Sequence, residues 1–266
     1  MPPDKELVID FLSRVESDIV AAILRHRGRL DRCSKLLRGY EEAHDAWKEG
    51  RTAHLRDVTS RVNELCVAKA MLEDVTVSRV EYESPLVGTA KTIDFLAFPA
   101  NKPGVCLYYD VRTVQPEERD SWAKYLGAVF TPGTNLILER EWMGGEIFHE
   151  KVTARARFVE HTLELEEKIR GVSISQKDRT FFRLILCGDG FQWHRSELED
   201  FVETYFRGSY PWDHFAAMQE HYLKSRSREF ERTVHGFCYL KRRQPRTNID
   251  AFVCDVRGPD PELLGE

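Results

Sequence analysis

The chain has no run of about 18 apolar residues, so no membrane-spanning helix is expected. Its first residues, Met1-Pro2-Pro3-Asp4-Lys5-Glu6, open a charged amphipathic stretch with no apolar h-region. No signal peptide is therefore expected. None of the six cysteines, Cys33, Cys66, Cys106, Cys187, Cys238 and Cys254, forms a C-x-x-C pair. That spacing excludes a zinc ribbon or a dithiol redox motif. Most lie in apolar segments and read as buried, reduced thiols of a cytoplasmic protein. No serine or cysteine sits in a nucleophile elbow, which leaves acyl transfer without support. The Gly188-Asp189-Gly190 turn is not followed by a glycine-rich phosphate loop. Repeats and low-complexity segments are absent. So is a basic excess: 39 basic residues face 44 acidic ones, a formal charge of −5. Nucleic-acid binders often carry a basic balance, but net charge does not exclude a local basic groove.

What remains is a globular composition, with 42% hydrophobic and 31% charged residues over 266 positions. That length is ample for a core. Val8, Phe11, Leu12, Val15, Ile19, Ile23 and Leu24 recur at helical steps, and Gly28 interrupts them. A second helical stretch over 29–48 completes an N-terminal helical hairpin, with Arg25-His26-Arg27-Gly28-Arg29 at the turn as a solvated helix end or as one of three basic clusters, with 224–228 and 241–246, that could line one groove. A third helix is expected over 56–74, with Val58, Val62, Leu65, Cys66, Lys69 and Leu72 buried. The period then changes to alternation, and strands are predicted over 75–82, 91–98 and 105–114. Pro116 starts a helix to Phe130, and Asn135–Leu138 reads as a short strand. A charged helix over 151–170, a dense apolar strand Phe181–Cys187, helices over 195–206 and 212–227, and strands 234–240 and 248–254 follow. The expected organisation is an N-terminal helical region (1–55), an α/β domain (56–256) and a flexible tail (257–266).

Two acids lie in strands that otherwise want apolar residues: Asp94 in Ile93-Asp94-Phe95-Leu96 and Asp110 in Tyr108-Tyr109-Asp110-Val111-Arg112. Aspartate is depleted in strands. A carboxylate beside aromatics needs a partner or a cation. In adjacent strands joined by a short turn the two carboxylates could approach closely, and they would repel unless a cation lay between them. Hard divalent ions such as Mg²⁺ are held by one or two carboxylates with water and phosphate oxygens. Arg112 shares a strand face with Asp110. Acid, acid and cation at one spot suit metal-assisted phosphodiester hydrolysis. An ion pair between Arg112 and either aspartate in an ordinary α/β domain is the structural alternative.

These residues resemble the PD-(D/E)XK nuclease superfamily over about half the chain, roughly residues 56–187. Ile93-Asp94 stands at the Pro-Asp position and Asp110-Val111-Arg112 at the (Asp/Glu)-x-Lys position. Glu64 resembles that family's first-helix acid, and Gln115 a polar residue some members carry after the third strand. The resemblance implies a restriction-endonuclease-like mixed sheet flanked by helices, with Mg²⁺ or Mn²⁺ on Glu64, Asp94 and Asp110. It implies catalysis by Asp94, Asp110 and Arg112. Arginine in place of lysine is a departure, because arginine stays protonated and cannot act as a general base. A lysine supplied from elsewhere is one remedy, with Lys91, Lys69 and Lys124 as candidates; alternation puts Lys91 on the face away from Asp94.

The expected activity is a metal-dependent nuclease acting on DNA before RNA, with no membrane partner and a homodimer left open. The alternative is a degenerate member that binds nucleic acid or protein without cutting. A helical–α/β adaptor is a third reading. Lys241, Arg242, Arg243 and Arg246, in the hairpin between the last two strands, are the expected phosphate-gripping residues. Lys224–Arg228 could extend that groove or simply end a helix. His149, His161, His194, His214, His221 and His235 show no metal-ligand spacing. The aromatic stretch Phe191–Phe215 reads as core before base-stacking surface.

Overall fold

The structure, a computed structural model, describes residues 5–49, 54–114, 145–173, 179–187, 195–207, 226, 229–243 and 249–257. The chain enters as one helical run: α1 (Lys5–Arg14), a wider π-helical turn (Val15–Val20) and α2 (Ala21–Arg25). After a 3₁₀ turn comes a two-residue strand, β1 (Leu30–Asp31), which no periodicity announces. Helices α3 (Cys33–Lys48) and α4 (His54–Glu73) follow. The meander is β2 (Val77–Pro85), β3 (Thr92–Pro99) and β4 (Val105–Thr113). Helix α5 (Gly145–Ile169), β5 (Arg179–Cys187), α6 (Arg195–Arg207), β6 (Gly236–Arg243) and β7 (Asp250–Arg257) complete the described elements. Gln115, the helix from Pro116, the strand at Asn135, Lys124, nearly all of 212–227, Arg246 and the tail beyond Arg257 lie outside the described residues.

The fold is α/β. Seven strands form one mixed sheet in the order β1 to β7. The β2–β3–β4 meander is antiparallel, β4, β5 and β6 run parallel, and β7 returns antiparallel. Helices α1 to α4 pack on one face, around Phe11, Ile19, Tyr40, Leu65 and Val67 with Phe95 and Ile185 of the sheet. Helices α5 and α6 pack on the other, around Phe158, Leu165, Phe201 and Tyr205 with Leu184 and Phe237. Strand β5 is buried on both faces, which explains its dense apolar run. The predicted N-terminal stripe is buried except for Leu24, which is 46% exposed beyond the π turn. All six cysteines are free thiols, and Cys66, Cys187 and Cys238 are buried.

The basic turn before β1 is not solvated throughout. Arg29 donates to Leu72 O (2.8 Å) and Asp74 O (3.2 Å) at the end of α4, and to Val77 O and Ser78 O of β2. It satisfies carbonyls that a helix end leaves without partners. Arg32, itself at positive φ, donates to Glu83 O and ties the start of α3 to β2. Among the described residues no helix is long and apolar enough to cross a membrane.

Candidate metal-dependent site

The β3–β4 ladder pairs Ala97 with Leu107, Leu96 with Tyr108 and Phe95 with Tyr109, and there it stops. The next positions in register are Asp94 and Asp110. The strands part at this point, and Asp94 Oδ2 accepts the Val111 N–H at 2.6 Å in place of a ladder bond. On the other side of Asp94, the register position on β2 falls to Glu83, which sits at φ 46°. Non-glycine residues rarely take that conformation, and where they do it often marks a site.

Alternation along β4 sends Leu107, Tyr109 and Val111 towards α4, and Tyr108 towards α5. Asp110 and Arg112 share the α5 side. Asp110 is fully buried. Arg112 Nε donates to its Oδ2 at 2.7 Å, and Lys168, from the last turn of α5, donates to its Oδ1. A cation there also suits the negative end of the helix.

Lys168 is delivered by the way α5 ends against the β2–β3 turn. Ser173 N donates to Val87 O (2.8 Å), and Lys91 Nζ donates to Glu167 O (2.9 Å). Gly88, at φ 86°, lies so close that an added Cβ would meet Ser173 Oγ at 2.6 Å, so only glycine fits this junction. Lys91 therefore anchors α5 instead of serving the acids, and Lys69 pairs with Glu73 at 2.7 Å. Among the described residues, the lysine that arrives at the site is Lys168.

On the opposite face of the sheet, Glu64 of α4 accepts from Tyr82 Oη (2.7 Å) and from Arg61 (2.9 Å). Burial pushes its carboxyl upward, and Arg61 and the Tyr82 hydroxyl partly offset this. Its neighbour Asn63 donates to Thr113 Oγ1 at 2.9 Å, while Asn63 Oδ1 is buried with no partner among the described residues. Burial, then the Asp110 and Glu64 carboxylates, raise Asp94 from 3.8 to about 7; Lys168 and the Val111 N–H pull the other way. Burial alone would lower Arg112, but Asp110, Asp94 and Glu164 more than offset it and keep it charged.

Further along α5, Glu164 Oε2 lies 3.8 Å from Arg112 and 3.2 Å from His161 Nδ1. Its hydrogen bond with His161 holds its carboxyl below the usual range. Residues 161, 164 and 168 share one helix face at i, i+3 and i+7. The sequence signal for Lys168 was only this spacing beside the apolar stripe of Phe158, Leu165 and Ile169.

Among the described residues no three His, Cys, Asp or Glu side chains form a ready cage for an ion. Glu64 is turned to Tyr82 and Arg61 and does not join the pair. Two aspartates with an all-oxygen donor character nonetheless suit a hard divalent ion, which keeps several waters and takes phosphate oxygens. The Asp94 carboxyl is raised chiefly by burial and then by Asp110 and Glu64, with Lys168 offsetting this only in part, so a cation beside it would favour its ionised form.

The β6–β7 hairpin joins Arg243 to Asp250 in register, and Leu240 pairs with Cys187 at the end of β5. Because β4, β5 and β6 are parallel, Lys241 and the backbone of Arg242 and Arg243 lie at the same end of the sheet as Asp110. Arg29, by contrast, lies beside Val77 and Ser78 at the opposite end. Arg226 pairs with Glu229 at 2.5 Å. No family model matches the chain, and no curated protein or solved structure matches it.

Proposed function

We propose that this chain is a metal-dependent nuclease of the PD-(D/E)XK kind, with a restriction-endonuclease-like core, that hydrolyses phosphodiester bonds in DNA. The observation that carries this reading is the placing of Asp94 and Asp110 at neighbouring positions where the β3–β4 ladder ends, with Lys168 brought to Asp110 beside Arg112. Asp94 and Asp110 would hold Mg²⁺ or Mn²⁺, without Glu64, whose carboxylate is taken by Tyr82 and Arg61. When bound there, such an ion would supply a lowered water pKa and neutralisation of phosphate charge. The order helix, three-strand meander, helix, parallel strand supports the same reading.

The chain's own groups divide the remaining work. Asp94 is fixed by the Val111 amide, so its second oxygen has a set direction. Lys168, a compact ammonium at the carboxylate pair, orients the attacking water, the role arginine fills poorly. Arg112 stays charged and faces the negative charge that develops on the phosphate. Lys241 and the backbone of Arg242 and Arg243 lie at the same end of the sheet, and these three residues with Arg246 would hold the flanking phosphates.

A second reading has its own observation: both oxygens of Asp110 already accept from a cation. A closed ion-pair centre would need no metal, and the chain would then bind nucleic acid without cutting it. Purified protein incubated with supercoiled plasmid and Mn²⁺ separates the two. The nuclease reading expects nicking that Lys168→Ala and Asp110→Ala lose. Retention of DNA in low salt with no nicking by any form supports the binding module.

A further inference from the structure

On the α4 face of the sheet, away from the aspartate pair, a cavity of about 460 Å³ opens between the end of α4 and strands β4, β5 and β7. Met71, Val77, Leu107 and Val253 give it apolar walls. Its polar members are Glu73, Asp74, Thr76, Tyr109, Arg183 and Asp255. Arg183 sits inside the apolar run of β5 and is only 6% exposed. It donates to Tyr109 Oη at 2.9 Å and to the Asp255 carboxylate, and it stacks on the Tyr109 ring at 5.2 Å. Its Nε is buried and has no hydrogen-bond partner among the described residues.

Stability does not explain this arrangement. An apolar residue of similar volume in place of a buried paired charge is usually neutral or stabilising. A buried donor without an acceptor adds a further cost and calls for an explanation, such as a missing ion or ligand. The counter-charge is also loosely held: the Asp255 side chain is 57% exposed and shares its Oδ1 with the Cys238 thiol at 3.2 Å. The two acids at the rim are engaged elsewhere. Glu73 pairs with Lys69 at 2.7 Å, and Asp74 accepts from Thr76 N (2.8 Å) and Thr76 Oγ1 (2.7 Å).

We propose that this cavity binds a small organic anion, an apolar body carrying one carboxylate or phosphomonoester group. The anionic oxygens would take the Arg183 edge that Asp255 now covers, with the Tyr109 hydroxyl beside it, where a guanidinium recognises planar or tetrahedral oxyanions in pairs. The body would fill the space against Met71, Val77 and Leu107, in a cavity within the usual size range for small-molecule sites. Asp255 stands in for the ligand's charge and can turn to solvent when the anion enters. This proposal does not depend on the nuclease reading, because Arg183 and Asp110 project from opposite faces of the sheet.

Calorimetric titration of the full chain with benzoate, phenyl phosphate and neutral benzyl alcohol tests it. One or both anions are expected to bind, and their order tells carboxylate from phosphomonoester. Benzyl alcohol is expected not to bind. Arg183→Leu should weaken binding by at least about tenfold, and Asp255→Asn, which removes the competing carboxylate, should tighten it by about tenfold. Absence of binding by both anions would overturn the proposal, as would equal binding of benzyl alcohol. If Arg183→Leu does not fold, Asp255→Asn alone decides: unchanged or weaker anion binding contradicts the inference.

Discussion

Replacing Asp94 with asparagine should make the metal-free protein more stable, not less. The buried carboxyl is raised from 3.8 to about 7, chiefly by burial and then by Asp110 and Glu64. The folded state therefore binds that proton more tightly than the unfolded chain does, and acid favours the fold. Stability falls as the pH climbs from about 4 to about 7, and the full penalty is present above that window. The rise corresponds to a ceiling of about 4 kcal/mol. Asp94 keeps some exposure, so about 2–3 kcal/mol is a realistic magnitude. Asparagine keeps the acceptor for the Val111 amide, 2.6 Å away, and removes the charge. Urea unfolding in a chelator should show the variant equal to wild type near pH 4 and more stable by that amount near pH 8. Added Mg²⁺ should close the gap by stabilising only wild type. A variant that is less stable at pH 8, or a difference that does not change with pH, would refute the reasoning.

Other outcomes follow from single side chains. Glu166 is 2% exposed and accepts from Tyr205 Oη (2.6 Å), Glu231 N (2.9 Å) and Thr233 N (3.1 Å). Glu166→Ala leaves these donors without their acceptor, and denaturant melts should show a loss of about 3 kcal/mol. Arg29→Ala frees the carbonyls at the end of α4 and should lower stability by about 2 kcal/mol, with faster amide exchange at Leu72–Val77 than elsewhere. Alanine at Lys241, Arg242 and Arg243 should weaken DNA binding without changing its sequence preference. It should also flatten the dependence of log K on log salt by about one for each phosphate no longer neutralised by a side chain.

Strands β2 to β5 and helices α4 to α6 were legible because burial imposes a period on local sequence. The aspartate pair was legible for a different reason: an acid in an apolar strand contradicts its surroundings. Lys168 was not legible, because it reaches Asp110 across 58 positions through the packing of α5 on the β2–β3 turn. Lys91, expected in the strand, lies just before β3 and donates to Glu167 O of α5, the helix that carries Lys168. Glu64 was placed on the right helix, but Tyr82 and Arg61 hold its carboxylate, an interaction no one-dimensional pattern reveals. The basic turn at 25–29 read as a solvated helix end, yet Arg29 is the clasp between α4 and β2. Arg183 was a signal overlooked: a lone cation in Phe181-Phe182-Arg183-Leu184 contradicts its strand as plainly as Asp94 does.

The central claim is that Asp94 and Asp110 together hold a divalent ion. Calorimetric titration of wild type, Asp94→Asn and Asp110→Asn with Mn²⁺ near pH 8 tests it most directly. Saturable binding by wild type that both variants lose is the predicted result. No saturable binding by wild type, or equal binding by all three proteins, would contradict the account.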